Sequence, residues 1–550
     1  MPTLDFKGKP FVYSHHLSVP FRGLEIDDKK SMPGSKGPSL DDNLIIHGDN
    51  LHALKALLPK YAGKVDLIFI DPPYNTGNEK WVYNDSVNSP LMKSWLGETV
   101  DGEDLERHDK WLCMMWPRLT LLWQLLSDDG AMFITIDDNE YANLKSTMDE
   151  IAGADKFQTN FVWQSRYSVS NDSVVSQSHN YVLLYVKDKS RFKETRNKLD
   201  RTSKQSKQYN NPDKDPKGPW RAIPWDAPNI RKNLEYPIKT PSGDVRFPPK
   251  GRCWSRTEDE WLKIVDAGLS YFGQDGSGAP SFKRYLSEAG GVVPTTWWPH
   301  EDAGHTDEAK KELNAFNLDV PFETPKPKRL LERIIKIAST PESVILDSFA
   351  GSATTGHAVQ SINKADGGNR KFILVETEDY ANDLTAERMR RVIQGVKGAK
   401  DSVLANGLGG SFTFCKLGAP IDVDAFFGGN NDMPTYEQIA SYIAYTATGE
   451  ALSKPPKKPR KDWFIGEING TRLHLIYKDD ADFMKSGKAA LTEDLAKKIA
   501  KSNSSGKTAY VFGAVKYLSQ KELSSADYRI QFCQLPYSIY RIMGDAPGSE

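Results

Sequence analysis

Short apolar runs that end at turn residues recur along the chain, with helically spaced apolar positions between them. Val65-Asp66-Leu67-Ile68-Phe69-Ile70 is one such run, and Asp71-Pro72-Pro73-Tyr74 stops it. A run of this length ending at a turn signal predicts a buried strand. Asn43 to His47 predicts an earlier strand, Gly48-Asp49-Asn50 its terminal turn, and Asn50 the cap of a helix over Leu51 to Leu58. Residues 43–71 therefore read as one βαβ unit of a parallel sheet. A long polar connection (75–108) follows, of the kind that is usually functional or mobile. Then come a helix over Trp111 to Leu126 stopped by Ser127-Asp128-Asp129-Gly130, a strand over 131–137, a helix over 139–151, and strands over 157–164 and 179–186.

The pattern restarts downstream. Thr324-Pro325-Lys326-Pro327 marks the start of a helix whose apolar face is 330, 331, 334, 335 and 337–338. A strand over 344–347, a turn of small residues from Ser348 to Gly356, a helix from near Thr354 and a strand Lys371 to Glu376 make a second βαβ unit. A helix is expected over 381–398. Residues 463–540 alternate strands (474–477, 508–512, 530–533) with a helix (489–500), which predicts a small separate α/β domain. Residues 1–40 read as a polar arm with little core of its own, and 454–461 as an extended basic linker.

Composition narrows the class. At 550 residues the chain suggests roughly two to four domains. Net charge is −1, so any nucleic-acid contact must come from a local basic face. One candidate is 191–256, with 17 Lys and Arg against 7 Asp and Glu, and with Tyr209, Trp220, Trp225, Tyr236 and Trp254 in it and Trp261 beside it. That mixture suits a nucleic-acid surface, or equally a solvated insertion with its own small aromatic core. Four scattered cysteines argue against disulfides and zinc, and neither His15-His16 nor His300 and His305 has nearby ligand partners, so no metal is expected. No apolar run approaches the ~20 residues of a membrane span and no signal pattern opens the chain, so a cytoplasmic location is expected.

Two turns carry candidate chemistry. Asp71-Pro72-Pro73-Tyr74 would sit at the carboxyl end of its strand, where open α/β sheets bind ligands. The prolines stiffen a loop that offers a carboxylate, carbonyls and an aromatic face. This suits a planar base with an exocyclic amine; a proline-rich turn with a capping Asp is the plain alternative. In the second turn, small residues let the backbone approach a ligand at a helix start, and Glu376, 25 residues after Gly351, could accept bonds from ribose hydroxyls. Gly-x-Gly-x-x-Gly is absent, and a plain tight strand–helix turn is the alternative there.

Together, the Asp71–Tyr74 loop, the Phe349-Ala350-Gly351-Ser352 turn with its downstream acid, and the basic insertion between them resemble the β class of S-adenosylmethionine-dependent DNA amino-methyltransferases. Thr324-Pro325-Lys326-Pro327 matches the Thr-x-Lys-Pro helix start that precedes the cofactor turn in that class. The resemblance covers about 40–395. The form Asp71-Pro72-Pro73-Tyr74-Asn75-Thr76-Gly77 and the tail Phe532-Cys533-Gln534-Leu535-Pro536-Tyr537 look most like modification subunits of Type III restriction systems.

The resemblance implies a doubly wound, mostly parallel α/β sheet of Rossmann-like methyltransferase type. It divides the chain into an arm (1–40), a catalytic half (41–190), a target-recognition insertion (191–305), a cofactor-binding half (306–400), a linker region (401–462) and a C-terminal α/β domain (463–550). Asp71, Pro72, Pro73 and Tyr74 would be catalytic, on a target base flipped from the duplex. Asp49, Asp71, Lys326, Asp347, Phe349, Ala350, Gly351, Ser352 and Glu376 would bind S-adenosylmethionine. Asp at 71 favours adenine N6 over cytosine N4 within the family. Double-stranded DNA is the implied partner, with a homodimer and a separate helicase–nuclease restriction subunit left open. This chain shows no nuclease or P-loop motif. The alternatives are cytosine N4, RNA or a protein amide as acceptor, and a non-catalytic DNA-reading subunit. Two positions depart from the family's Asp-Pro-Phe-x-Gly-Ser-Gly: Ser348 replaces Pro, and Ala353 replaces Gly. Ala353 is expected to tolerate the turn at negative φ, leaving the cofactor site intact.

Overall fold

Val65–Ile70 is buried along its length except at Asp66. A strand apolar on both faces needs neighbours on both sides and helices above and below, which is the setting of a parallel sheet. The computed structural model supplies that setting. It describes residues 3–35, 37–76, 81–82, 99–100, 106–169, 174–399, 402–420, 433–503 and 506–535. Two units are distinguished: Met1–Arg196 with Thr295–Glu550, and Asn197–Pro294. Gly77, most of the 75–108 connection, Pro536 and Tyr537 lie outside the described residues.

The main sheet of the first unit contains β1 (Arg22–Ile26), β2 (Leu44–His47), β3 (Val65–Ile70), β4 (Leu126–Ile136), β5 (Phe157–Trp163), β6 (Asn180–Val186), β7 (Trp297–Trp298), β8 (Val344–Asp347), β9 (Lys371–Glu376) and β10 (Thr413–Pro420). Their order across the sheet is β1-β10-β2-β9-β8-β3-β4-β6-β5-β7. The six strands from β10 to β4 run parallel to one another. Helices α1 (Asn50–Tyr61), α2 (Arg107–Leu125), α3 (Tyr141–Ala152), α4 (Lys328–Ala338) and α5 (Thr354–Asp366) belong to the same unit.

The topology matters for the site. β2 and β3 belong to one βαβ unit but do not pair; β9 and β8, from the downstream half, lie between them. The junction of the two halves is the β8–β3 pair, with Ile345 opposite Leu67 and Leu346 opposite Ile68. Parallel pairing sends both strands' carboxyl ends to the same edge. Asp71 and Asp347 therefore leave the sheet side by side.

Several expectations are corrected. The arm before residue 40 is part of the fold: Phe6, Val12 and Val19 are buried in the main core, and β1 pairs with β10. The region 401–462 is not simply a linker. Thr413-Phe414-Cys415 enters the sheet beside β2, and α6 (Tyr436–Thr448) buries Tyr436, Ile439 and Ile443 in the C-terminal core. Ser127 to Gly130 is not a free turn after α2, because β4 starts at Leu126 and the ladder slips between Leu126 and Ala131. The expected 381–398 helix opens as 3-10 and π turns before the α-helix Glu387–Gln394. Asn50 does not cap α1: the cap is Asp49, whose carboxylate accepts the N–H groups of Leu51 and His52.

In the second unit, Trp225, Tyr236, Trp254, Trp261 and Phe272 form a buried cluster, and Trp220 is buried as well. These aromatics are thus a core, while Lys214, Lys217, Arg231, Lys232, Lys239, Arg246 and Lys250 are exposed. The end of the first unit is a four-stranded sheet in chain order: β11 (Phe464–Ile468), β12 (Thr471–Leu475), β13 (Ala509–Gly513) and β14 (Ile530–Gln534), with α7 (Glu493–Ser502).

Asn43 ties three distant segments together. Its side chain accepts from Phe372 N at 2.9 Å and donates to the Ser411 carbonyl at 2.8 Å, and its own carbonyl accepts from Thr413 N. Asn43→Ala strands a buried N–H at the start of β9. It should destabilise the protein by about 1–3 kcal/mol in denaturant titration.

Candidate active site

At the carboxyl edge of the sheet lies a cavity of about 880 Å³. Asp49, Asp71, Pro72, Pro73, Tyr74, Lys326, Asp347, Phe349, Ala350, Gly351, Ser352 and Glu376 all line it. Two turns about 275 residues apart in sequence thus face one space, because β3 and β8 are adjacent.

Asp71 is held from both sides. Its Oδ1 accepts from Thr135 Oγ1 at 2.5 Å, and its Oδ2 pairs with the Lys326 ammonium. The same ammonium lies 5.0 Å from the Tyr74 ring centroid, in cation–π range. Pro73 is anchored differently: its carbonyl accepts from Trp111 Nε1 at 2.7 Å, which turns it toward α2. The loop leaves the site through Asn75 at φ +57°, fixed by hydrogen bonds to the Arg107 carbonyl and to Glu140 Oε1. Glu140 is fully buried and is also bonded to Asn143 and His108. The Tyr74 hydroxyl is buried beside Asp71 and Thr135 without a well-formed hydrogen bond. Burial first, then the Asp71 charge, keeps that phenol well above its ordinary pKa.

The second turn is tight. Gly351 has φ +49°, and a Cβ there would sit 2.9 Å from the Phe322 ring. Glu376 accepts Gly351 N on one oxygen (2.7 Å) and Glu378 N on the other (3.0 Å), and burial raises its pKa. Phe322 and Tyr380 meet edge to face at 6.0 Å and line the cavity beside it. Asp347 accepts from Thr355 Oγ1 at 2.5 Å and from Phe349 N at 3.0 Å. Burial, with the nearby charges of Asp71 and Glu376, pushes its pKa up to about 7. Ala353 is not at negative φ as expected: it sits at +61° at the start of α5. Asp49, besides capping α1, pairs with Arg118 at 3.2 Å.

These features suit a nucleoside-like cofactor. Among the described residues the buried Ser348 and Tyr74 hydroxyls form no well-made hydrogen bond, and the glycine turn and Glu376 line the same cavity beside the Phe322 and Tyr380 rings. Thr135, Trp111, Thr355, Phe322 and Tyr380 are not singled out by the sequence. Their roles come from contacts across strands and helices and leave no local motif.

Residues 65–387 match the DNA methylase family. Over 363 residues the chain is 40% identical to the Type III restriction-modification enzyme StyLTI Mod subunit of Salmonella typhimurium, covering 62% of this chain and 53% of that protein. It is 30% identical over 426 residues to the EcoPI Mod subunit of Escherichia phage P1, covering 69% of this chain and 64% of that protein. The match thus spans between about half and two thirds of those curated relatives. A Thermus thermophilus protein assigned as a DNA modification methylase and solved with S-adenosyl-L-methionine superposes with a TM-score of 0.31 at 14% identity, covering 64% of this chain and 95% of that one.

Asp347 gives a pH signature. Its carboxyl titrates near 3.9 when unfolded and about 7 when folded. Between those values the folded state binds more protons, so stability falls as pH rises through the window. Asp347→Asn removes this slope. Relative to wild type, the variant should gain about 1–3 kcal/mol between about pH 5 and pH 8 in denaturant titrations.

Proposed function

The chain belongs to the family of N6/N4 DNA methylases, and from that premise we propose that it transfers a methyl group from S-adenosylmethionine to adenine N6 in DNA. The observation that carries this reading is the pairing of two surfaces in one cavity. The Asp71–Tyr74 loop offers an acceptor and a ring face, and the Gly351 turn with Glu376 offers a nucleoside site.

Phe349, Gly351 and Ser352 would line the cofactor, with Glu376 at its ribose. When bound, S-adenosylmethionine supplies a methyl group on a sulfonium, whose carbon–sulfur bond breaks with the electron pair going to sulfur. The chain's own residues position the acceptor. Asp71 and the Pro72 carbonyl would take the amine's hydrogens and draw its lone pair out of conjugation with the ring. Pro73 serves the geometry of the loop, since its carbonyl is turned to Trp111. So held, the amine nitrogen would face the methyl donor, and Asp71 would stand beside the proton that the nitrogen gives up. The catalytic contribution is chiefly orientation of amine and methyl.

Lys326 adds a condition. One ammonium engages both Asp71 and the Tyr74 ring. An entering amine would share Asp71 with that ammonium or displace it, and Lys326 neutralises Asp71 beforehand. The target base must also leave the duplex, at a cost of a few kcal/mol.

The relatives named as Mod subunits support a finer reading. In it the chain is the modification component of a Type III-like system, acting in the cytoplasm on double-stranded DNA with a separate restriction subunit. The exposed basic residues of Asn197–Pro294 would contact phosphates, which position the protein on DNA, and base readout would come from side chains of the same unit.

The test is nucleoside analysis and modified-base sequencing of DNA from a host expressing the protein. N6-methyladenine in one sequence context is expected. N4-methylcytosine would reassign the base, and no methylated base in DNA would overturn the proposal. Asp71→Ala should lower methyl transfer by about 10²–10⁴-fold, a larger loss than that of cofactor affinity followed by equilibrium dialysis.

A further inference from the structure

On the side of Asp71 away from the cofactor turn, three more strands bring a row of polar side chains to the same edge. The order β3-β4-β6-β5 sets Asp71, Asp137, Asn180 and Ser165 at successive strand ends, and all four line the cavity. The pairing also fixes their face. Thr135, whose hydroxyl bonds Asp71, is opposite Val182, and Trp163 is opposite Asn180. Opposite residues share a face of a sheet, and so do residues two apart along a strand. Asp137, Asn180 and, two residues past Trp163, Ser165 therefore continue the face on which Thr135 meets Asp71.

Their engagements differ. Asp137 is taken up locally: its two oxygens accept from Asn139 N at 2.9 Å and from Asn139 Nδ2 at 2.8 Å. Ser165 is buried, and its carbonyl accepts from Thr306 N at 3.0 Å and Thr306 Oγ1 at 3.1 Å. Asn180 is half-buried, and among the described residues its side-chain amide forms no hydrogen bond. The Tyr74 ring shows which way a stacked base would extend. Its buried hydroxyl stands beside Thr135, where the charges of both Asp71 and Asp137 act on it. The ring thus leans from β3 toward β4, away from the cofactor turn after β8. A base stacked on it, with its amine at Asp71, lies over the ends of β4 and β6. Asn180 is two strands from Asp71, roughly 10 Å at the usual strand spacing, and one planar base with a hydrogen bond at each end fills that span.

We propose that Asn180 reads the target base, its amide N–H donating to a ring nitrogen that flanks the amine, N1 or N7 of adenine. The proposal rests on the reading of the cavity as a site of adenine methylation in DNA. Asp71 and the Pro72 carbonyl use both hydrogens of the amine, so the ring itself must be fixed through its acceptors. A base pinned only at its amine pivots in its own plane across the face of Tyr74. A second contact on the ring stops that pivot and holds the amine in one orientation. Adenine offers an acceptor on either side of its amine, whereas cytosine held by N4 offers N3 on one side and a C–H on the other. Asn, with donor and acceptor on one planar group, is a usual partner of adenine edges.

The test uses the full-length protein on duplexes that carry the mapped site with adenine, 1-deazaadenine or 7-deazaadenine at the target position. Each target faces an abasic position, so that pairing does not differ among them. Wild type should lose about tenfold to a hundredfold in kcat/KM on one of the two analogues, as expected when one buried hydrogen bond is left unmade. Asn180→Ala should lose as much on adenine and nothing further on that analogue, because both changes remove the same bond. Asn180→Asp, close in shape but with no N–H to donate, should lose at least as much on adenine. The affinity of both variants for S-adenosylmethionine, followed by equilibrium dialysis, should stay near that of wild type. Wild-type rates for Asn180→Ala on adenine, full wild-type activity on both analogues, or variant and analogue losses that simply multiply would each overturn the role of Asn180. Absence of methyl transfer by wild type to the adenine duplex condemns instead the reading of the cavity on which that role rests.

Discussion

Two carboxylates end adjacent parallel strands, and much of the site's architecture follows from keeping both there. Asp71 directly follows β3 and Asp347 ends β8. Like charges on neighbouring strand ends raise each other's cost of ionisation. The chain resolves this unequally. Asp71 receives a cation, Lys326, and a hydroxyl, Thr135. Asp347 receives only neutral donors and full burial, and its pKa rises to about 7. One acid therefore stands ion-paired at the cavity wall. The other is built into the turn behind it.

That division depends on the order of strands. Contrary to a simple βαβ reading, β2 and β3 do not pair directly; β3 has β8 beside it, which makes the two acids neighbours. Inserting β9 and β8 between β2 and β3 requires that the downstream half be locked into the upstream one. Gly48 N donating to the Glu376 carbonyl and Asn50 Nδ2 donating to that of Ser348 are such locks, each linking turns about 300 residues apart in sequence. Arg118, which bonds Asn50 and pairs with Asp49, extends them into α2. The same residues that shape the cavity thus hold the halves together, which explains why Asp49 and Asn50 look like local turn residues in sequence and serve a long-range role.

Legibility follows range. Runs such as 65–71 and 371–376 announce strands because their signal is local and strong. The two turns are readable because small residues and prolines constrain backbone wherever they occur. Asn50 reads as the cap because Asn and Asp are both good caps, and only the chain path decides between them. β10 escapes a sequence reading because Thr413-Phe414-Cys415 follows a glycine-rich stretch and is stabilised by partners some 370 residues away. The tryptophans of Asn197–Pro294 could be surface or core by composition, and packing settles it: Trp225, Trp254 and Trp261 are buried together. Lys326 can be assigned to the site only through family likeness, since nothing local ties it to Asp71.

Ala353 shows where local reasoning fails for a definite cause. A residue with a Cβ avoids positive φ at a cost of roughly 1–2 kcal/mol, so negative φ is the sound expectation. The turn leaves it no choice. Ala350 N is held by the Val375 carbonyl, Ala353 N by that of Ala350, Thr385 bonds the Gly351 carbonyl at 2.6 Å, and the buried Arg388 bonds that of Ser352 at 3.0 Å. Fixed on both sides, the backbone at 353 must turn left-handed to start α5, whatever the residue. Strain of this kind persists only where surrounding contacts over-determine the geometry. The shape of the cofactor turn is therefore set by its neighbours rather than by glycine at that position. The left-handed turn at 353 is thus formed with Ala in a position where the resemblance leads one to expect Gly.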